Sequence, residues 1–241
     1  MKFLKFKTLN STNTWALDHF DELEDLTAVC ADSQTNGRGR FNRVWVSQDC
    51  GENICLTFVL KPENKKFLAN LTQYLCVVTA KTLETYGVEP EIKWPNDVLV
   101  DGKKICGILC EAFLKHNAIK GVVLGIGVNL NMDKDLLKNI EKPATSLNIE
   151  TGKKIDRDAF LNLLTEEFLK NYENAVEKGF ASFEQDYLQR IKFLGKKVYL
   201  TQRDNAPKEE FLAQKIDENG SLVVKTADGL EKTVFSGDLI L

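Results

Sequence analysis

"EIKWPNDVLVDGKKICGILCEAFLKHNAIKGVVLGIGVNLN", residues 91–131, decides how the chain is read. Three apolar runs (91–100, 103–114 and 118–131) are separated by Asp101–Gly102 and His116–Asn117. Such pairs tolerate the left-handed backbone that closes tight hairpins, so the runs read as an antiparallel meander. Pro95 cannot donate to a ladder; it ends or bulges its strand and re-aims Lys93, Asn96 and Asp97. Alternation sends Lys103 and Lys104 to opposite faces and leaves open which one points inward. Gly125 and Gly127 thin the last run, a mark of close approach by a backbone or a ligand.

Working outward, "KFLKFKTL" (2–9), "LTAVCADS" (26–33) and "NICLTFVL" (53–60) read as further strands. Ser11, Thr12 and Asn13 offer cap oxygens to a helix running through Trp15, Leu17 and Phe20. Helical spacing also covers 67–86, with Gly87 as the stop, and 156–178. The second of these has Asp156 as cap and Phe160, Leu163, Leu164, Phe168 and Ala175 as its stripe. A shorter helix falls within 179–191. From Leu194 the chain changes to short strands punctuated by "ENG" and "ADG", which read as a compact barrel. The expected architecture is α+β: a mixed, largely antiparallel sheet flanked by helices in residues 1–193, and a small β-barrel in 194–241.

Composition narrows the function classes. The net charge of −3 and the balanced 28% charged content disfavour a non-specific nucleic-acid binder. Six cysteines without a CxxC pair, and two histidines without HExxH, read as small core residues in a reducing compartment rather than as a metal site. The N-terminus has no apolar signal region, and no run approaches the ~20 residues of a membrane span. The expectation is a soluble cytoplasmic protein. GxGxxG and GxxxxGK[ST] are both absent, which removes the Rossmann and P-loop nucleotide sites.

One local feature runs against this bland background. Three of the six arginines, Arg38, Arg40 and Arg43, crowd a loop of about 20 residues between two strands. Glycines in "GRGR" let a backbone approach an anion closely, and guanidinium groups bind phosphate or carboxylate through paired donors. A solvated surface loop reads about as well from this motif alone. An ordinary turn likewise accounts for "KWPND", a helix cap for "STN", and a bulge for "GIGVN".

The order of these motifs is more specific than any one of them. STN, QxxGRGRxxRxW, KWPND, KKICGI, GIGVNLN and ATSL (144–147) follow one another as in the biotin–protein ligases, which the chain resembles over nearly its whole length. The resemblance implies a class II synthetase-like catalytic fold with an SH3-like C-terminal domain. It implies activation of biotin by ATP, with Mg²⁺, to biotinyl-5′-AMP, then transfer to one lysine of a biotin carboxyl carrier domain.

By motif position it places Ser11, Thr12, Asn13 and Gln34 at biotin, along with Arg38, Gly39, Arg40, Lys104 and Gly107. Arg38, Gly39, Arg40, Arg43, Trp45, Lys93 and Asn129 fall at ATP or the adenylate, with Trp45 and Asn129 on adenine. The catalytic set is Lys104, Arg40, Arg38, Lys93 and Asp97, with Asp97 also near Mg²⁺ or the incoming lysine. The loop is expected to gain order from its ligands and then shield the mixed anhydride. Asn42 stands where relatives often have glycine. Only one strand precedes the STN helix, so a ligase without a DNA-binding repressor domain is expected, without DNA or membrane partners, as monomer or homodimer. The alternatives are a lipoate–protein ligase-type acyltransferase and a non-catalytic nucleic-acid-binding protein.

Overall fold

The computed structural model describes residues 1–47, 52–138, 140, 142–201 and 208–240, with the side chain of Asn42 outside that description. Seven strands form the main sheet: β1 (Lys2–Leu9), β2 (Thr27–Gln34), β3 (Ile54–Leu60), β4 (Pro90–Lys93), β5 (Asp97–Val100), β6 (Lys103–Lys115) and β7 (Ala118–Val128). Their order is β1-β2-β3-β7-β6-β5-β4. Only β1 and β2 pair in parallel, joined through helix α1 (Thr12–Asp18). The other five pairings are antiparallel.

The meander forms as read, with one difference. Its first run divides into β4 and β5 around Trp94-Pro95-Asn96, where the Trp94–Pro95 peptide is cis. Both turns have the left-handed geometry expected of them: φ is 49° at Asp101 and 72° at Gly102, then 52° at His116 and 58° at Asn117.

The sheet is covered on both faces, and strand alternation sorts the residues. On β3, Ile54, Leu56, Phe58 and Leu60 join the larger core, while Val59 belongs to a second cluster under α1 with Ala16 and Phe20. Coverage on both sides leaves β3 buried along its whole length, apolar but for Thr57. The larger core is closed by α2 (Leu71–Glu84) and α5 (Arg157–Lys178), with the Phe58 and Phe168 rings stacked at 4.3 Å. The Asp156 carboxylate accepts from the Ala159 N–H at 3.0 Å and starts α5 as expected.

Two boundaries and one stripe residue differ from the sequence reading. Phe20 lies in a 3₁₀ turn beyond α1, and a 3₁₀ turn at Leu68–Asn70 precedes α2. Leu163 is 40% exposed rather than part of the α5 stripe. Short helices α3 (Lys134–Lys138), α4 (Leu147–Thr151) and α6 (Glu184–Leu188) complete this part. Cys30, Cys76 and Cys106 are buried, and burial pushes their thiol pKa values up, as suits core residues; Cys50 lies outside the described residues.

The C-terminal strands are β8 (Lys197–Thr201), β9 (Glu209–Ile216), β10 (Leu222–Lys225), β11 (Glu231–Val234) and β12 (Asp238–Ile240). They make an antiparallel sheet in the order β11-β10-β9-β8-β12, and among the described residues no ladder joins its two ends. This sheet docks on the first through a turn. Gly220 O accepts from Gln73 Nε2 at 2.7 Å and Trp94 Nε1 at 3.1 Å, and Asn70 Nδ2 donates to Asn219 O at 2.8 Å. No helix among the described residues is long and apolar enough to cross a membrane.

Candidate active site

A cavity of about 420 Å³ opens on the α1 face of the sheet, between the start of α1, the arginine loop and the C-terminal sheet. Its floor follows from β7. Val122, Leu124, Ile126 and Val128 face the larger core, which leaves Gly121, Val123, Gly125 and Gly127 on the cavity side. A Cβ on Gly125 would lie 2.0 Å from Asn13 Oδ1, and one on Gly127 would lie 2.3 Å from the Trp45 ring. These glycines therefore let Asn13 and Trp45 lie directly on the strand. The close approach expected of "GIGVN" is made by side chains of the chain itself.

Lys104 owes its position to an irregularity. In the β5–β6 ladder Val98 pairs with Cys106 and Leu99 with Lys104, so Ile105 is the extra residue of a bulge. Ile105 and Cys106 are consecutive, yet both are buried in the core. The bulge carries Lys104 onto the same side as Gly107, and strict alternation could not decide between the two lysines for this reason. Lys104 Nζ lies 2.6 Å from Asp97 Oδ1 and 5.6 Å from the Trp45 ring centroid. Lys103 points outward, with Glu150 3.5 Å away.

The arginines already have partners within the chain. Arg38 Nη2 donates to Glu111 Oε1 at 2.9 Å and Oε2 at 2.8 Å. Arg40 donates from Nη1 to Asn96 Oδ1 (3.1 Å) and Gly237 O (3.0 Å), and from Nη2 to Ser236 Oγ (3.1 Å). Asp238 Oδ1 lies 3.5 Å from Arg40, Arg43 closes on Asp238 Oδ2, and Lys142 is 3.8 Å from the same oxygen. The Arg40 and Arg43 guanidiniums also lie 5.0 and 5.6 Å from the Phe41 ring centroid. Half-buried guanidinium groups need such partners, because stripping their water without compensation is costly. Burial pulls the Arg40 pKa below its usual value, against the pull of Asp238 and Asp97.

The turn itself closes by Gly39 N–H to Arg43 O at 2.7 Å and Trp45 N–H to Gly37 O at 2.8 Å. Phe41 takes left-handed backbone there (φ 55°). The Asn42 side chain, singled out in the sequence, lies outside the described residues.

At the opposite end of the cavity the side chains are polar and uncharged. Gln34 Oε1 accepts from the Thr12 N–H (2.8 Å) and Thr12 Oγ1 (3.1 Å), and Ser11 Oγ caps Thr14 N–H at 3.4 Å. Thr57 Oγ1 donates to Asn13 Oδ1 at 2.7 Å. Asn129 lines the cavity and spends its amide nitrogen on Thr145 O at 2.9 Å.

The cavity thus gathers Ser11, Thr12, Asn13, Gln34, Arg38, Gly39, Arg40, Arg43, Trp45, Asp97, Lys104, Gly107 and Asn129. Lys93 is not among the lining residues; it pairs across the hairpin with Asp97, on the same face of the sheet. Burial, above all, lowers the Lys93 pKa. Sequence reasoning passed over Glu111, Asp238 and Lys142. Glu111 had a legible signal: by alternation it shares a face with Gly107 and Leu109, and an acid in such a register needs a partner. Asp238 had none, since its arginines lie nearly 200 positions away. Among the described residues no group of three or more His, Cys, Asp or Glu is placed to hold a metal ion.

Residues 5–129 match the model of the biotin/lipoate A/B protein ligase family. The chain is 34% identical over 218 residues to the bifunctional ligase/repressor BirA of Bacillus spizizenii, covering 89% of this chain and 66% of that protein, so it spans about two thirds of that relative's length. It is 30% identical over 226 residues to the biotin–[acetyl-CoA-carboxylase] ligase of Paracoccus denitrificans, covering 91% of this chain and 92% of that one. Among solved structures, the biotin protein ligase from Aquifex aeolicus in complex with biotin and ATP superposes with a TM-score of 0.84 at 29% identity, covering 99% of this chain and 97% of its own. The chain therefore belongs to the biotin/lipoate A/B protein ligase family.

Proposed function

We propose that the chain activates biotin with ATP and transfers it to a lysine of a biotin carboxyl carrier domain. The observation that carries this is the division of one cavity into an uncharged polar end at Ser11, Thr12, Asn13 and Gln34 and a cationic end at Arg38, Arg40, Arg43 and Lys104. A ureido ring needs donors and acceptors together, and the first group supplies both. The reaction then brings two anions into contact. A biotin carboxylate oxygen attacks the α-phosphorus of ATP, and pyrophosphate leaves with the bridging oxygen and its electrons. Cations fixed in advance offset the repulsion and the charge that develops.

In the second step the carrier lysine amine attacks the acyl carbon, loses a proton and expels AMP. Lys104 meets the carboxylate from the sheet side, while Arg38 and Arg40 with the Gly39 backbone meet it from the loop. Trp45 and Asn129 serve adenine. Arg43 and Lys93 complete the positive field around the phosphates, Lys93 from beside Asp97. Asp97 orients Lys104 through their 2.6 Å contact. Mg²⁺ suits this donor set only as a companion of the nucleotide, because Asp97 offers one carboxylate and the phosphates supply the rest. Residues 1–193 form the catalytic unit, and 194–241 a second unit that lends it Asp238.

The test is to incubate the chain with ATP, Mg²⁺ and either biotin or lipoate, and to identify the acyl-adenylate by mass spectrometry. Biotinyl-5′-AMP should form; lipoyl-5′-AMP alone would reassign the substrate, and neither would remove the proposal.

A further inference from the structure

Glu111 lies on β6 but is not on the cavity wall, and nothing in the reaction above uses it. Its carboxylate nevertheless touches both ends of the site. Two of its contacts go to Arg38 Nη2, at 2.9 and 2.8 Å, and a third comes from Asn13 Nδ2 at 2.9 Å. Arg38 is therefore gripped by one nitrogen. Its Nε–H is buried and has no hydrogen-bond partner among the described residues.

The contact to Asn13 fixes the other end. An amide placed between donors and acceptors can take two orientations, and its partners select one. With Nδ2 donating to Glu111 and to Leu109 O at 3.1 Å, Oδ1 must face Thr57. Thr57 Oγ1 spends its one proton on Asn13 Oδ1 at 2.7 Å, and Thr12 Oγ1, 2.8 Å from Thr57 Oγ1, is left to donate to Gln34. The Glu111 carboxylate, together with Leu109 O, thus sets the donor–acceptor sense of a chain of four polar side chains. A carboxylate can do this because it only accepts; a glutamine at 111 would set an Nε2–H₂ against either Arg38 or Asn13.

We infer that Glu111 is a positioning residue for biotin: through Arg38 it sets the carboxylate end of the cavity and through Asn13 the head-group end, without touching the ligand. The inference rests on the proposed function for the identity of that ligand.

The test compares the wild-type chain with Glu111→Gln, Arg38→Ala and the double variant. Glu111→Gln should raise the KM for biotin at least tenfold while the KM for ATP changes less than threefold, because the Trp45 ring is seated on Gly127 and Asn129 is held by Thr145 O, neither through Glu111. In the Arg38→Ala background the same substitution should cost threefold or less. Hydrogen exchange supplies an arm that needs no substrate. The Gly39 and Trp45 amides, which close the turn carrying Arg38, should exchange at least tenfold faster in Glu111→Gln, with Val123 in β7 unchanged as the check on folding. Equal increases in both KM values, a full loss in the Arg38→Ala background, or unchanged Gly39 and Trp45 exchange would each overturn the positioning role. A wild-type chain that forms no biotinyl adenylate would instead overturn the functional reading, and the exchange arm would still decide whether Glu111 holds the loop.

Discussion

Asp238, the first residue of the last strand, lies within ion-pair distance of Arg40 and Arg43 from the loop that follows the second strand. The C-terminal sheet is therefore part of the cavity's electrostatics. Asp238→Asn removes the shared carboxylate from three cations and leaves them facing one another. Charged hydrogen bonds of this kind contribute about 2 kcal/mol. The melting temperature should fall by roughly 4–8 °C for a chain of this size. Adenylation should fall about tenfold as Arg40 loses its orientation. Unchanged melting and unchanged adenylation would separate the C-terminal sheet from the site.

Lys104 makes a different prediction, because its 2.6 Å contact to Asp97 is local and part-exposed. Removing it should cost little stability and much rate. Lys104→Met should lower single-turnover adenylate formation by a factor of about 100 or more, the scale of losing one preorganised charge at a transition state. Lys104→Arg should not restore it, since a planar guanidinium does not reproduce a compact ammonium beside Trp45. Rapid-quench kinetics with melting controls would measure both.

Gly125 and Gly127 test the floor. Gly125→Ala forces a methyl against Asn13, and Gly127→Ala forces one into the Trp45 ring. Overpacking of this sort costs about 1–3 kcal/mol. The ligand effects should divide by position: Gly125→Ala weakens biotin binding in calorimetry, and Gly127→Ala weakens nucleotide binding. The same loss of both ligands in each variant would contradict the division of the cavity.

Lys93 gives a pH dependence with a definite sign. Burial, the largest cause, lowers its pKa below 10.5, and Lys142 and Lys104 add to this against Asp97. Between the folded and unfolded pKa values the unfolded chain binds more protons, so stability rises with pH in that window. Below it, the protonated lysine is a standing cost to folding. Lys93→Gln should therefore melt higher than wild type at pH 7, and the gap should narrow as pH rises towards 10.5. Adenylation should fall in the same variant. A gap that widens with pH would refute the assignment.

The meander, the Asp156 cap and the second small sheet were legible because each rests on local rules: two-residue turns, a cap oxygen, strand alternation. Which lysine enters the cavity was not legible from alternation, because the bulge at Ile105 resets the register and nothing in "KKICGI" marks it. The partners of the arginine loop were not legible for a related reason. Its neighbours in sequence are glycines and amides, but its partners, Glu111 and Asp238, are brought by other strands and are invisible to any window around the loop. Gly125 and Gly127 stood out as sites of close approach, yet only the folded chain identifies Asn13 and Trp45 as what approaches.

The most direct measurement is a crystal structure of the chain soaked with biotin, ATP and Mg²⁺. The account predicts biotinyl-5′-AMP in the cavity, with the ureido ring against Ser11, Thr12, Asn13 and Gln34, the acyl phosphate between Arg38, Arg40 and Lys104, and adenine at Trp45. An adenylate lying the other way round, or bound outside this cavity, would contradict it.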